Sequence, residues 1–255
     1  MSAIALACTW APHGELTRFR RLAPFLIENY GAIIIAMRLE SDPQIVDALL
    51  STPSVQVHYA QPWAAARHAA LEQTLKTDAD FIHACDFDRL VHWAECDPDD
   101  LRETLAAIPA ADCTVIGRTE AAWTTHPRCM METEALFNDV FSRLIGSEMD
   151  FGSSARGFSR SAAEAILRRS PPSDGYAIDT AWPLVVQQAG MLVAYREADG
   201  LAWETPDRYR DAAATEAQRQ EMITAWDADP DRWAQRVAVA RLILNLGFKV
   251  WQRSG

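Results

Sequence analysis

Two carboxylates one residue apart, Asp86-Phe87-Asp88, close an apolar run that includes Phe81, Ile82 and Cys85. Such a pair at a strand end, where the backbone turns, can hold one divalent cation and through it a diphosphate. Hard cations such as Mg²⁺ and Mn²⁺ take oxygen ligands and commonly use one or two carboxylates plus substrate phosphates. In an acidic chain the same pattern also arises as a solvated loop or a helix cap. Thr9 and Trp10 end the first apolar run, and the indole of Trp10 can stack on a base or pack into the core. Glu204, in Trp203-Glu204-Thr205-Pro206, is a further loop carboxylate. Thr125-His126-Pro127 offers a third metal ligand or an acceptor contact, although a lone loop histidine more often does neither.

Composition excludes several classes. Lys and Arg number 24 against 35 Asp and Glu, a formal net charge of −11. An acidic chain is a poor general binder of phosphate backbones, so a nucleic-acid partner is not expected. The five cysteines (Cys8, Cys85, Cys96, Cys113, Cys129) are odd in number and form no CxxC. They read as reduced thiols of a cytoplasmic protein, not as a disulfide framework or a zinc site. With 49% hydrophobic and 23% charged residues, disorder is not the dominant state. A length of 255 residues suits one large domain. The run Met1–Trp10 has no basic residues before it and is too short to span a bilayer. Val237–Trp251 is interrupted by Arg241, Asn245 and Lys249, so no integral membrane segment is expected.

The elements that must position these residues alternate. Strands are predicted at Ile4–Thr9, Ala32–Met37, Ser54–Tyr59, Ala79–Cys85 and Cys113–Gly117. Helices are predicted at Thr17–Tyr30, from Asp42-Pro43, over Trp63–Lys76, and from Asp97-Pro98 to Ile108. Strands alternating with helices imply a mostly parallel sheet. Its ligands bind at the carboxyl ends of the strands, which singles out the loops Trp10–Leu16, Arg38–Asp42, Ala60–Trp63 and Asp86–Trp93. After Gly117 the rhythm breaks. Helices are predicted over Met130–Leu144, from Ser159 to Arg168, over Ile178–Gln188, Asp207–Trp226 and Asp231–Val250, with a strand at Met191–Arg196 and a turn-rich link at Ser170–Gly175. The chain reads as one domain, 1–255, with a nucleotide-binding-like half (1–117) and an elaborated half (118–255).

The segment Trp63-Ala-Ala-Ala-Arg67-His68-Ala-Ala-Leu71, followed by Thr77-Asp-Ala-Asp80-Phe-Ile82-His-Ala-Cys85-Asp86-Phe87-Asp88, resembles the signature of family 2-like GT-A glycosyltransferases. The likeness continues in order over roughly the first 200 residues, though each motif is weak alone. Glu40-Ser41-Asp42 falls near the family's acidic turn that holds the nucleoside. Gly152-Ser-Ser-Ala-Arg156-Gly157-Phe158 is similar to the glycine-containing segment before the acceptor side, and Asp179-Thr-Ala-Trp182 opens a helix where the family places its catalytic carboxylate. The resemblance implies an α/β, GT-A-like, Rossmann-type sheet flanked by helices with a helical C-terminal elaboration. It implies a nucleotide-sugar donor, Mn²⁺ or Mg²⁺ held by Asp86 and Asp88, donor contacts from Thr9, Trp10, Glu40, Arg67 and Arg156, and Asp179 as general base. Asp179 can equally be an N-cap, with Glu204 the second candidate base, and Arg67 and Arg156 can equally be structural. The chain departs from the family at Arg38-Leu39-Glu40, where two adjacent acids are usual, and at Ile178, where many members have an acid.

Competing readings are weaker. A phosphohydrolase of the HAD type needs its DxD on the first strand. A nucleotidyltransferase needs a Gly-rich loop after that strand, where this chain has Thr9-Trp-Ala-Pro-His-Gly14-Glu-Leu. A dinucleotide dehydrogenase fails for want of GxGxxG. A non-catalytic nucleotide-sugar-binding protein stays open. Thr119–Arg128 lacks a clean period and is predicted to line the acceptor side as a lid. The last helix, with Arg232, Arg236, Arg241, Lys249 and Arg253 beside Trp233 and Trp251, is read as packing on the domain, with contact to anionic lipid as the alternative.

Overall fold

The computed structural model describes residues 4–172 and 175–254. Its first half runs β1 (Ile4–Trp10), α1 (Leu16–Asn29), β2 (Ala32–Met37), α2 (Pro43–Leu50), β3 (Val55–Tyr59), α3 (Ala66–Thr74), β4 (Phe81–Asp86), α4 (Phe87–Cys96), α5 (Pro98–Ala107) and β5 (Cys113–Arg118). The second half adds α6 (Glu120–Trp123), α7 (Arg128–Ile145), β6 (Ala155–Ser159), α8 (Arg160–Arg169), α9 (Ala181–Gln188), β7 (Val193–Ala198), α10 (Glu216–Ala228) and α11 (Pro230–Trp251). The expected caps form. Asp42 accepts from the Gln44 amide at 2.8 Å, Asp97 from Asp100 at 3.2 Å, and Ser159 from Ala162 at 3.2 Å. Each satisfies an amide that the helix start leaves unpaired.

Three elements depart from the expected pattern. The helix expected over Asp207–Trp226 begins only at Glu216, after Thr215 as its N-cap. The carboxylate pair does not lead into a loop: Asp86 ends β4 and α4 follows without a gap. Phe87, Leu90, Val91 and Ala94, all buried, recur at helical spacing along it. The stretch Gly152–Phe158 contains strand β6. Its sequence, Ala-Arg-Gly-Phe-Ser, has no β-branched residue and so carries little strand propensity. The link Ser170–Gly175 includes residues 173 and 174, which lie outside the described residues.

The strands form one sheet in the order β3-β2-β1-β4-β6-β5-β7, with β6 antiparallel to β4 and β5 and the other pairings parallel. Helices cover both faces, which explains why β2 (AIIIAM) is buried throughout. Side chains alternate between the two layers. In β1, Leu6, Cys8 and Trp10 enter the layer containing α1 and α4, whereas Ala7 enters the layer containing α3, α8 and α9. In β4, Ile82 and Ala84 join that second layer and Cys85 joins the first. Thr9 and Asp86 therefore face the α3 side together, paired in register across β1 and β4.

From β1 the chain steps outward through β2 and β3, then returns to place β4 on the other side of β1. That reversal leaves a crevice at the carboxyl ends of β1 and β4, the usual ligand position of an open α/β sheet.

A buried ionic network fastens the segment after β7 over this crevice. Arg18 on α1 donates to Glu95 at 2.6 Å and to Asp207 at 2.8 Å, and His92 Nδ1 lies 2.7 Å from Asp207. Burial opposes the charged imidazole. The hydrogen bond it donates to Asp207 and the nearby Cys96 outweigh it and raise the His92 pKa to about 9. A histidine whose folded pKa lies above its unfolded value near 6.5 stabilises fully below that value and loses its contribution as pH climbs through the folded one. Urea unfolding at pH 6.5 and pH 9 is therefore expected to show the wild type losing up to about 3 kcal/mol that His92→Gln does not lose. Equal losses in the two proteins would remove this role of His92.

Candidate functional site

The crevice opens into a cleft of two adjoining lobes, about 440 Å³ and 540 Å³, that share Arg67, Asp86, Asp88, Tyr176 and Arg208 as lining. Asp86 stands between them at the end of β4. Thr9 Oγ1 donates to its Oδ1 at 2.8 Å. Arg67, the second residue of α3, closes a fork on the same carboxylate, with Nε to Oδ1 at 3.1 Å and Nη2 to Oδ2 at 2.6 Å. Its remaining nitrogen, Nη1, donates to the Gly175 carbonyl at 2.8 Å. Burial alone would lift the Asp86 pKa, but the charge and hydrogen bonds of Arg67 hold it below the usual carboxylate value.

Asp88 has different surroundings. It sits in the first turn of α4, where its Oδ1 accepts from the Arg89 amide at 3.0 Å, and Arg208 approaches only to 3.7 Å. Burial, then repulsion from Glu204 and Asp86, push its pKa up to about 7. Glu204 faces Arg89 at 3.3–3.4 Å, and Arg89 Nη1 is buried with no hydrogen-bond partner among the described residues. Two carboxylates that repel one another, one with a loose counter-charge, make a place where added positive charge is favoured.

Asp179 lines the second lobe, 2% exposed, with its Oδ1 accepting from Ser154 Oγ at 2.7 Å. Burial raises its pKa against the pull of Arg67 and Arg156. Asp179 does not cap the following helix: α9 starts at Ala181 with Thr180 at its N-cap, and Asp179 belongs to the preceding turn. Ser154, the residue that holds it, adopts a left-handed φ of 53° just before β6, uncommon for a residue with a side chain.

Several expected contacts are placed elsewhere. Trp10 does not reach a ligand. It is 1% exposed and packs between Phe19 and Phe87, because its parity in β1 directs it with Leu6 and Cys8 into the α1/α4 layer. Arg156 is fully buried and donates to the carbonyls of Phe151 at 2.6 Å and Asp179 at 2.9 Å, so it shapes the turn under Asp179 and does not line the cleft. Glu40 is exposed in a separate hollow beside Arg38 and Trp63. As a metal ligand Asp86 is already engaged by Arg67 and Thr9. Thr119–Arg128 lines neither lobe. Thr119 caps α6, Trp123 stacks under Arg118 with 4.4 Å between guanidinium and ring, and Thr125 accepts the Trp203 amide at 2.9 Å. His126 beside it is buried 1% exposed, away from the cleft.

The structure also brings in residues that the motifs did not single out. Trp63, in one of the loops named by strand-end reasoning, forms an aromatic wall of the first lobe. Tyr176 sits above the Arg67 guanidinium at 5.8 Å. Arg208 and Tyr209 arrive from the segment after β7 that the Arg18 network fastens. Gly14 permits this approach: its φ is +93°, and a Cβ there would lie 2.9 Å from the Tyr209 Cα. Among the described residues, no three His, Cys, Asp or Glu side chains converge as a ready-made metal cage.

No protein-family model and no curated protein matches the chain. Solved structures do. Glucosyl-3-phosphoglycerate synthase from Mycobacterium tuberculosis, in complex with Mn²⁺, uridine diphosphate and phosphoglyceric acid, superposes with a TM-score of 0.52 at 11% identity, covering 92% of this chain and 78% of that one. The chain has a GT-A-like fold. The same search returns a nucleotide-diphospho-sugar transferase from Desulfovibrio desulfuricans G20, so named on trial, at TM-score 0.44 and 12% identity, covering 90% of this chain and 100% of that one. It also returns 4-diphosphocytidyl-2C-methyl-D-erythritol synthase from Anaerococcus prevotii at TM-score 0.48 and 10% identity, covering 88% and 98%. At these identities the likeness shows the fold alone.

Proposed function

We propose that this chain is a glycosyltransferase that moves a sugar from a nucleoside-diphosphate donor to an acceptor hydroxyl. The observation that supports it is the division of the cleft: Asp88, Arg67 and Arg208 gather at the switch point, and a buried carboxylate, Asp179, lines the adjoining lobe. The donor set fits a divalent cation with Asp88 as ligand and Glu204 behind it, since the raised Asp88 pKa marks a carboxylate short of positive charge. A GT-A-like protein that holds Mn²⁺ and uridine diphosphate supports the same choice. When bound, such an ion supplies positive charge to the diphosphate as it departs.

The chain's own residues do the rest. Arg67, fixed by Asp86, and Arg208 face the diphosphate and oppose the charge that develops on it. Trp63 offers a face for the base. Asp179 takes the proton of the acceptor hydroxyl as its oxygen attacks the anomeric carbon. One C–O bond forms to the acceptor, and the bond to the diphosphate breaks with its electron pair leaving on the nucleotide. The Ser154 hydroxyl orients the Asp179 carboxylate for that transfer.

Cytidylyl transfer is the second reading. The loop after β1 speaks against it: Glu15 occupies that loop, accepting the His13 amide at 2.6 Å and the Trp10 indole at 3.3 Å, where a glycine-rich phosphate cradle would be needed. The test is product release. Incubation with UDP-, GDP- and dTDP-sugars and Mn²⁺ is expected to release nucleoside diphosphate from one of them, with a thermal shift from the matching diphosphate that grows with Mn²⁺. Pyrophosphate release from a nucleoside triphosphate, with every sugar donor left intact, would overturn the assignment.

A further inference from the structure

We propose that the outer face of α11 docks this protein on an anionic lipid surface. The helix is held by one side only. Ala240, Ile243, Leu246, Gly247 and Val250 are buried against α7 and α9. The opposite side leaves Val237 56%, Leu242 43%, Phe248 38% and Trp251 39% exposed, a concentration of large apolar groups on one element. The end of α11 is held on the domain: Phe248 packs on Phe141 with 5.7 Å between ring centroids, and Gln188 donates to the Val250 carbonyl at 3.1 Å.

Charge selects the occupant. From Val237 to Ser254 the chain carries Arg241, Lys249 and Arg253 and no carboxylate, although the whole chain has a net charge of −11. Arg253 reaches the Arg169 carbonyl at 3.4 Å, which brings the basic end of α8 beside the basic end of α11. A helix lying in the bilayer interface combines exposed Trp, Phe and Leu with Lys and Arg, the apolar groups entering the acyl boundary and the cations meeting anionic headgroups. In a two-fold pair of this chain the same basic face would meet itself and repel, whereas an anionic lipid surface complements both features. The face is also continuous with the cleft: Leu242 lines its first lobe. Docking through α11 sets the mouth of that lobe at the lipid surface.

The proposal does not depend on the transferase reading, and its test measures no activity. The full chain is sedimented with phosphatidylcholine vesicles, with and without about 30% phosphatidylglycerol, at low salt and at about 0.5 M NaCl. Binding is expected with phosphatidylglycerol at low salt, with loss at high salt. The double variant Arg241→Glu/Lys249→Glu should bind at least about tenfold more weakly, and Trp251→Ala several-fold more weakly. Arg241→Lys/Lys249→Arg, which keeps both charges, should bind as the wild type does. Absent binding, binding indifferent to phosphatidylglycerol, or a charge-reversed variant that binds normally would overturn it. So would a concentration-dependent dimer that Trp251→Ala dissociates while vesicle binding is absent, since the face would then pair two copies of this chain.

Discussion

Replacing Asp179 with Asn is expected to lower turnover about 10²–10⁴-fold, the usual worth of a positioned acid–base group, while nucleotide affinity stays within a few-fold. Asn has nearly the same volume, and its side-chain carbonyl can still accept the Ser154 hydroxyl, so the turn and α9 are kept. What Asn lacks is basicity at neutral pH. Burial raises the Asp179 pKa, so the acidic limb of the wild-type pH–rate profile is expected above the ordinary carboxylate range. That limb should disappear in Asp179→Asn. Steady-state kinetics with the active donor measures both effects. A variant that turns over within a few-fold of wild type would end the base assignment, and Glu204, in the same lobe, would be examined next.

Asp88→Asn is expected to remove the Mn²⁺-dependent part of nucleotide binding and to lower turnover at least about a hundredfold, since metal charge is worth several kcal/mol in such transition states. The metal-independent part, carried by Arg67 and Arg208, should remain. Stability separates this from simple damage. A carboxyl raised to about 7 in the folded chain, against about 3.9 in the unfolded one, keeps its proton longer when folded. Folding therefore grows less favourable as pH rises through that interval. The neutral Asn is free of that repulsion, so the variant should be at least as stable as wild type at pH 8. Thermal shift with the matching diphosphate, with and without Mn²⁺, measures the first effect and urea titration the second. Unchanged metal-dependent binding would move the cation away from Asp88.

Much of this site was legible in the chain because it lies where periodicity is strong. The alternation of the first half and the caps at Asp42, Asp97 and Ser159 set the sheet and its carboxyl-end loops, two of which supply Asp86 and Trp63. The same period-two argument, carried one residue further, separates Thr9 from Trp10: Thr9 falls on the face of Ala7 and Asp86, Trp10 on the face of Leu6. Arg156 misled because a motif records order along the chain and not direction. Its guanidinium turns inward to three backbone carbonyls. Arg208 and Tyr209 gave no local signal, since their place depends on Arg18, His92 and Asp207, which are far apart in sequence. Strand β6 was hidden by its composition, as burial on both faces and not propensity makes it a strand.

The reversed direction of β6 has a further consequence. A strand parallel to its neighbours delivers to the ligand rim whatever follows it, whereas an antiparallel strand delivers whatever precedes it. Ser154, at the start of β6, is thereby carried to the same rim as Asp86, at the end of β4. The long excursion between β5 and β6, including α7, thus starts and finishes at that rim, and its length can change without altering the register of β1, β2 and β4. Under the proposed function, the molecule pairs a fixed nucleotide platform with an insert that can vary separately. Substitution of Met130, which lines the second lobe from that excursion, should alter the acceptor and leave the choice of nucleotide as it was.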